Sequence, residues 1–159
     1  MTDRPQDKGP GAPLPPTLLF VAGFGLGWWL HRRLPFFIDG EGRGMAQTIL
    51  GIVLLGFGAV VFAWGMRTFF GRTGIMLQRP AATLVTRGPY AWSRNPQYVG
   101  FTAIYIGAAL VSNMAWPLCL LPLVLMAVVL AVILREEAYL RSRFGESYAA
   151  YCRRVGRWL

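Results

Sequence analysis

Charged residues are absent from three long stretches of the chain, residues 11–30, 44–66 and 95–134. As a helix, the second would extend roughly 34 Å at about 1.5 Å per residue, enough for a hydrocarbon core of about 30 Å. The third is about twice the roughly 20 residues needed for one crossing. Near its middle it is punctuated by "SNMAWP" at 112–117, so it predicts a helical hairpin with a very short turn. Four spans are expected, near 15–31, 45–67, 96–112 and 116–135. Beyond them, Leu140, Phe144, Tyr148, Tyr151, Val155 and Trp158 recur every three or four residues. That spacing predicts an amphipathic tail helix over 136–156, bent near Gly145 and lying at the membrane interface. Residues 1–14 mix Gly, Pro, acids and bases and read as a disordered leader before a single membrane domain at 15–159.

Composition agrees with that pattern. Hydrophobic residues make up 55% of the 159 and charged residues 14%, leaving too little polar surface for a water-soluble domain of this length. The expected fold is therefore an all-α integral membrane protein, with four transmembrane helices and a cytoplasmic interfacial C-terminal helix.

Charge sets the expected orientation. With four spans, Arg67, Arg72, Arg79, Arg87 and Arg94 share a side with the leader and with the arginines of the tail, while Arg32, Arg33 and Arg43 fall on the other. Basic residues in short loops stay on the cytoplasmic side, which puts both termini there. The compact length suggests a prokaryotic inner membrane. The net charge of +9 then reflects topology and attraction to anionic head groups, and no nucleic-acid module accompanies it. Cys119 lies within a span and Cys152 in the tail, too far apart in depth to pair, so neither a disulfide nor a metal framework is expected.

Several small signals have ordinary explanations. "GFGLG" at 23–27 lies inside an apolar span with no preceding strand, so its glycines read as helix packing, as do Gly51, Gly56 and Gly58. His31 beside Arg32 and Arg33 reads as an interface anchor. Two other segments ask for more. The second loop, residues 67–94, is about 28 residues long, far more than a bundle connection requires. It leads into "RGPYAWSRNPQYVG" at 87–100, where Gly88 and Pro89 turn the chain and Pro96 opens the third span. "REEAYL" at 135–140 puts two of the chain's seven acids, Glu136 and Glu137, at the cytoplasmic end of the fourth span. A hairpin turning on the far side brings its two near ends together. Tyr90, Arg94, Asn95 and Tyr98 are thus expected to meet the Glu pair in a polar site with an apolar approach from the bilayer.

"LVTRGPYAWSRNPQYVG" followed, after the hydrophobic hairpin, by "EEAYLRSRFGESYAAYCRRV" resembles the isoprenylcysteine carboxyl methyltransferase family and its phospholipid methyltransferase relatives. The match covers roughly residues 83–155. The resemblance implies an S-adenosylmethionine-dependent methyltransferase acting on a lipophilic, membrane-resident acceptor, a small molecule or a lipidated substrate. It implies cofactor contacts from Ala82, Thr83, Leu84, Val85, Tyr90, Asn95, Pro96, Gln97, Tyr98 and Glu136. Glu137 completes the acidic pair, and Arg94 serves as a carboxylate clamp or substrate positioner. Many members carry histidine where this chain has Asn95, whose amide takes no proton near neutral pH, so a general base is excluded there. The prenylcysteine enzymes place a substrate-binding arginine one turn before the acidic pair, where this chain has Val132. A nicotinamide-dependent lipid reductase and a non-enzymatic membrane scaffold are the alternative readings of the same segments.

Overall fold

The computed structural model describes residues 15–40, 42–73 and 83–159. The leader at 1–14, Ala82 and part of the second loop lie outside the described residues. Among the described residues the chain is all-helical, with no strand. Helix α1 is Pro16–Arg33, α2 Met45–Thr73, α3 Pro96–Val111, α4 Ala115–Val128 and α5 Leu134–Arg154, with a short 3-10 helix at Gly88–Ala91 before α3.

Two helices are long and apolar enough to cross a membrane, Met45–Phe69 and the continuous rod Ala115–Arg154. The apolar part of that rod ends at Leu134, so Arg135, Glu136 and Glu137 open its polar half. α3 is a shorter apolar helix of 16 residues. α1 closes on His31, Arg32 and Arg33, and the two arginines complement the negative end of the helix dipole. The outer face of α2 exposes Ile49, Ile52, Val53, Phe57, Val60 and Trp64. A contiguous apolar strip of this kind belongs against lipid or another apolar surface.

α2 packs along α3 and α1 along α4. The first contact is close because it is made by glycines. A methyl group on Gly58 would lie 2.6 Å from the Gly100 carbonyl oxygen, and one on Gly100 would lie 2.8 Å from that of Gly58. Gly51 and Gly107 repeat the pairing seven residues along each helix, at 2.9 and 2.6 Å. Gly23 and Gly27 of α1 likewise admit close neighbours, here the Val124 side chain and the backbone and ring of Pro117. Gly56, expected to pack similarly, faces open space. It lies about 140° around the helix from the Gly51–Gly58 face at roughly 100° per residue.

The hairpin turn is at 112–114, with Asn113 in the left-handed region at φ 56°. The Asn113 side chain is buried and binds the loop between α1 and α2. Its Oδ1 accepts from the backbone amides of Ile38 and Asp39 and from Gln47 Nε2, each at 3.1 Å. Its Nδ2 donates to the carbonyls of Gly40 and Gly42 at 3.0 Å. Phe20, Tyr98, Tyr105, Val124, Val128, Val132 and Ile133 form the core between α1, α3 and α4.

The tail differs from a separate interfacial helix starting at 136. It continues from α4 through a π-helical segment, Val129–Ile133. A π segment holds an extra residue per turn and so rotates all that follows relative to an unbroken α-helix. Gly145, at φ 51° and ψ −124°, then bends α5 where a kink is expected.

Candidate functional site

The site is built where the entrance to α3 meets the first turn of α5. Gly88 takes φ +63°, a conformation that glycine adopts without steric cost, and turns the chain tightly against α2 beside Thr68 and Trp64. Pro89 is buried beneath the turn. Pro96 occupies the first turn of α3, where a missing amide costs nothing. Asn95 stands at the cap position, and its carbonyl accepts from the amides of Tyr98 and Val99 at 3.0 and 3.1 Å. Its side chain makes no cap bond and instead donates from Nδ2 to the Arg157 carbonyl at 2.9 Å.

One helical turn on, the Tyr98 hydroxyl lies 3.2 Å from each oxygen of Glu136. One hydroxyl proton is thus shared between two acceptors, and the carboxylate retains most of its hydrogen-bonding capacity. Burial pushes the Glu136 carboxyl up to about 7, opposed in part by the Tyr98 hydrogen bond. Burial also raises the Tyr90 phenol, with the Glu136 charge adding to the effect. The Tyr90 carbonyl accepts from the Tyr151 hydroxyl at 2.7 Å, tying the 3-10 turn to the tail.

Glu137 is in different surroundings. It is 6% exposed, and Arg157 grips both its oxygens, Nε on Oε1 and Nη2 on Oε2, each at 2.9 Å. Arg94 Nη1 stands 3.4 Å from Oε1 and donates to Cys152 Sγ at 2.7 Å. The buried Nε of Arg94 has no partner among the described residues.

The structure therefore joins Tyr98 to Glu136 and Arg94 to Glu137, and carries Asn95 and Tyr90 onto the tail. Leu84 packs on the Tyr148, Tyr151 and Val155 cluster, Val85 is buried, and Thr83 is exposed. Pro96 and Gln97 turn the other way. Gln97 donates to Met66 Sδ at 3.2 Å, and both side chains lie against Gly65 of α2. Ala82 is outside the described residues. Sequence reasoning missed Arg157, Cys152 and Tyr151. The signal for Arg157 was the unmatched Glu137, since a buried carboxylate requires a cation. The tail offers five arginines, and spacing alone does not choose among them.

The profile of a family described as phospholipid methyltransferase matches residues 46–147. A protein-S-isoprenylcysteine O-methyltransferase of Schizosaccharomyces pombe is 42% identical over 72 residues, which cover 45% of this chain and 30% of that protein. One from Xenopus laevis is 33% identical over 114 residues, 68% of this chain and 38% of that protein. The aligned region thus spans about a third of each relative's length.

Proposed function

This chain belongs to the phospholipid methyltransferase family, and from that premise we propose that it transfers a methyl group from S-adenosylmethionine to a lipophilic acceptor in the membrane. The observation that carries the reading is the meeting of Tyr98 with Glu136, two residues from segments about 40 positions apart, at the polar end of an apolar bundle.

The donor set fits this cofactor. Glu136 offers two under-used acceptor oxygens to ribose hydroxyls or an amino group, and the unpartnered Nε of Arg94 offers a buried donor to a carboxylate. Thr83, Leu84, Val85, Tyr90, Asn95, Tyr98 and Glu136 would hold it, whereas the Pro96 and Gln97 side chains, turned onto α2, would shape the entrance to α3 rather than touch the cofactor. When bound, S-adenosylmethionine supplies an electrophilic methyl group on a positively charged sulfur, open to in-line attack by a carboxylate, amine or thiol. Tyr98 fixes the orientation of Glu136. Glu137 acts on Arg94, drawing its guanidinium to the site, and Arg94 clamps or positions a carboxylate. A carboxylate acceptor needs little acid-base help, and the Asn95 amide supplies none. Holding the reactants at near-attack distance away from water is the larger effect, worth roughly 7–11 kcal/mol in favourable cases.

The acceptor approaches through lipid. Val132, where prenylcysteine enzymes carry an arginine, is wholly buried in the core and offers no charge to a substrate. Four spans, with both termini and the site on the cytoplasmic face, complete the proposal. Calorimetry in detergent tests it: S-adenosylhomocysteine binds the wild type and not Glu136→Ala. Heat with reduced nicotinamide, or with neither compound, overturns it. Radiolabelled donor with total membrane lipid extract then identifies the labelled acceptor class.

A further inference from the structure

The strap that follows α5 makes contacts that the methyl-transfer reading leaves unused. At Val155 the chain leaves the helix in an extended conformation, φ −126° and ψ 127°. Over the next two residues it touches both halves of the site. The Gly156 carbonyl accepts from the Arg94 amide at 3.0 Å. The Arg157 carbonyl accepts from Asn95 Nδ2 at 2.9 Å, while its guanidinium holds both oxygens of Glu137. Val155 is buried with Tyr148 and Tyr151, and Trp158 packs on the core that contains Tyr98. A side chain at Gly156 would run into the Leu159 carbonyl, so the tight return also depends on glycine there.

Resting on the donor site proposed above, we infer that Arg157 is a positioning residue. By anchoring the strap to Glu137, it fixes the backbone of Arg94 and the side-chain amide of Asn95 in the geometry that receives the methyl donor. Several features favour this role over incidental surface pairing. The ion pair is bidentate, its carboxylate is buried, and the same residue supplies a backbone acceptor to Asn95, so losing one contact loosens the other. The hydrogen bonds of Arg157 and of the strap reach Glu137, Asn95 and the Arg94 backbone rather than Glu136, so the effect passes through Arg94 and Asn95.

The test uses the full chain in detergent and two readouts. Hydrogen exchange at the Arg94 amide reports the strap directly, because that amide is bonded to Gly156. Calorimetry with S-adenosylhomocysteine reports the donor site. Arg157→Met, which keeps the apolar stem and loses the charge, is expected to accelerate exchange at Arg94 and weaken binding roughly tenfold, the scale of losing a supporting partner behind a binding group. Arg157→Lys should recover part of both. Glu137→Gln, which releases the same anchor from its other end, is the second variant and should reproduce the pair of effects. Unchanged exchange at Arg94 in Arg157→Met and Glu137→Gln overturns the inference whatever happens to binding. Faster exchange with undiminished binding also overturns the positioning role. If the wild type does not bind S-adenosylhomocysteine, the methyl-donor reading and the positioning role fail together, and exchange alone decides whether Arg157 holds the strap.

Discussion

Glu137 has its two oxygens matched to one arginine at 2.9 Å and approached by a second at 3.4 Å, whereas Glu136, one residue earlier, shares a single tyrosine proton between two oxygens. Removing the Glu137 carboxylate strands Arg94, whose side chain is 14% exposed, while Arg157 at 34% can turn to solvent. Glu137→Ala is therefore expected to cost about 2–4 kcal/mol, read by chemical denaturation in detergent. Glu136 affects stability through its proton. Its ordinary value is 4.5 and its value in the fold about 7, so folding favours the neutral acid. That contribution is complete below 4.5 and is lost as pH rises through about 7. The thermal midpoint should fall between about pH 5 and about pH 8 in the wild type, and Glu136→Gln should remove the dependence. Tyr98→Phe deletes the hydrogen bond that favours the ionised form, and the fall should move to higher pH.

At the scale of elements, one side chain joins the α3–α4 turn to the loop between α1 and α2. Asn113 uses both ends of its amide, accepting three hydrogen bonds and donating two, at a backbone conformation that asparagine tolerates better than most residues. Asn113→Gly preserves the conformation and loses the bonds; Asn113→Ala loses both. Unfolding in detergent should show both variants destabilised, by about 2–4 kcal/mol for alanine and less for glycine. The α2–α3 contact calls for a second expectation. Gly100→Ala places a methyl group against the Gly58 carbonyl and the Phe62 amide, both backbone, so neither can yield by changing rotamer. The helices must separate, and the variant should lower the thermal midpoint and weaken S-adenosylhomocysteine binding, because α3 carries Tyr98. Gly56→Ala meets nothing and should do neither.

For the whole molecule, the legible features are those that the bilayer and the hairpin impose. Apolar blocks 20 or more residues long identified helices because a hydrocarbon core sets their length. A turn at 112–114 obliged the ends of α3 and α5 to meet, which is why Tyr98 and Glu136 could be paired from sequence. The π segment left no sign in composition, since Val129–Ile133 is as apolar as the helix before it. Nor did the strap have a period to betray it, being a few extended residues after a helix. Sidedness also belongs to this scale. Arg87, Arg94, Arg135, Arg141, Arg143, Arg153, Arg154 and Arg157 belong to segments at the site end, against Arg32, Arg33 and Arg43 at the other. In the proposed orientation, retention of basic loops puts the site on the cytoplasmic side, facing the supply of the proposed water-soluble methyl donor. Gly42 and Ser142 are exposed near opposite ends of the bundle and suit single-cysteine reporters in a Cys119→Ser, Cys152→Ser background. A membrane-impermeant maleimide should label Gly42→Cys and spare Ser142→Cys in right-side-out vesicles, with the pattern exchanged in inverted ones. Labelling of Ser142→Cys from outside would place Glu136 and Tyr98 across the bilayer from the donor supply, and methyl transfer from a cytoplasmic cofactor could not occur at this site.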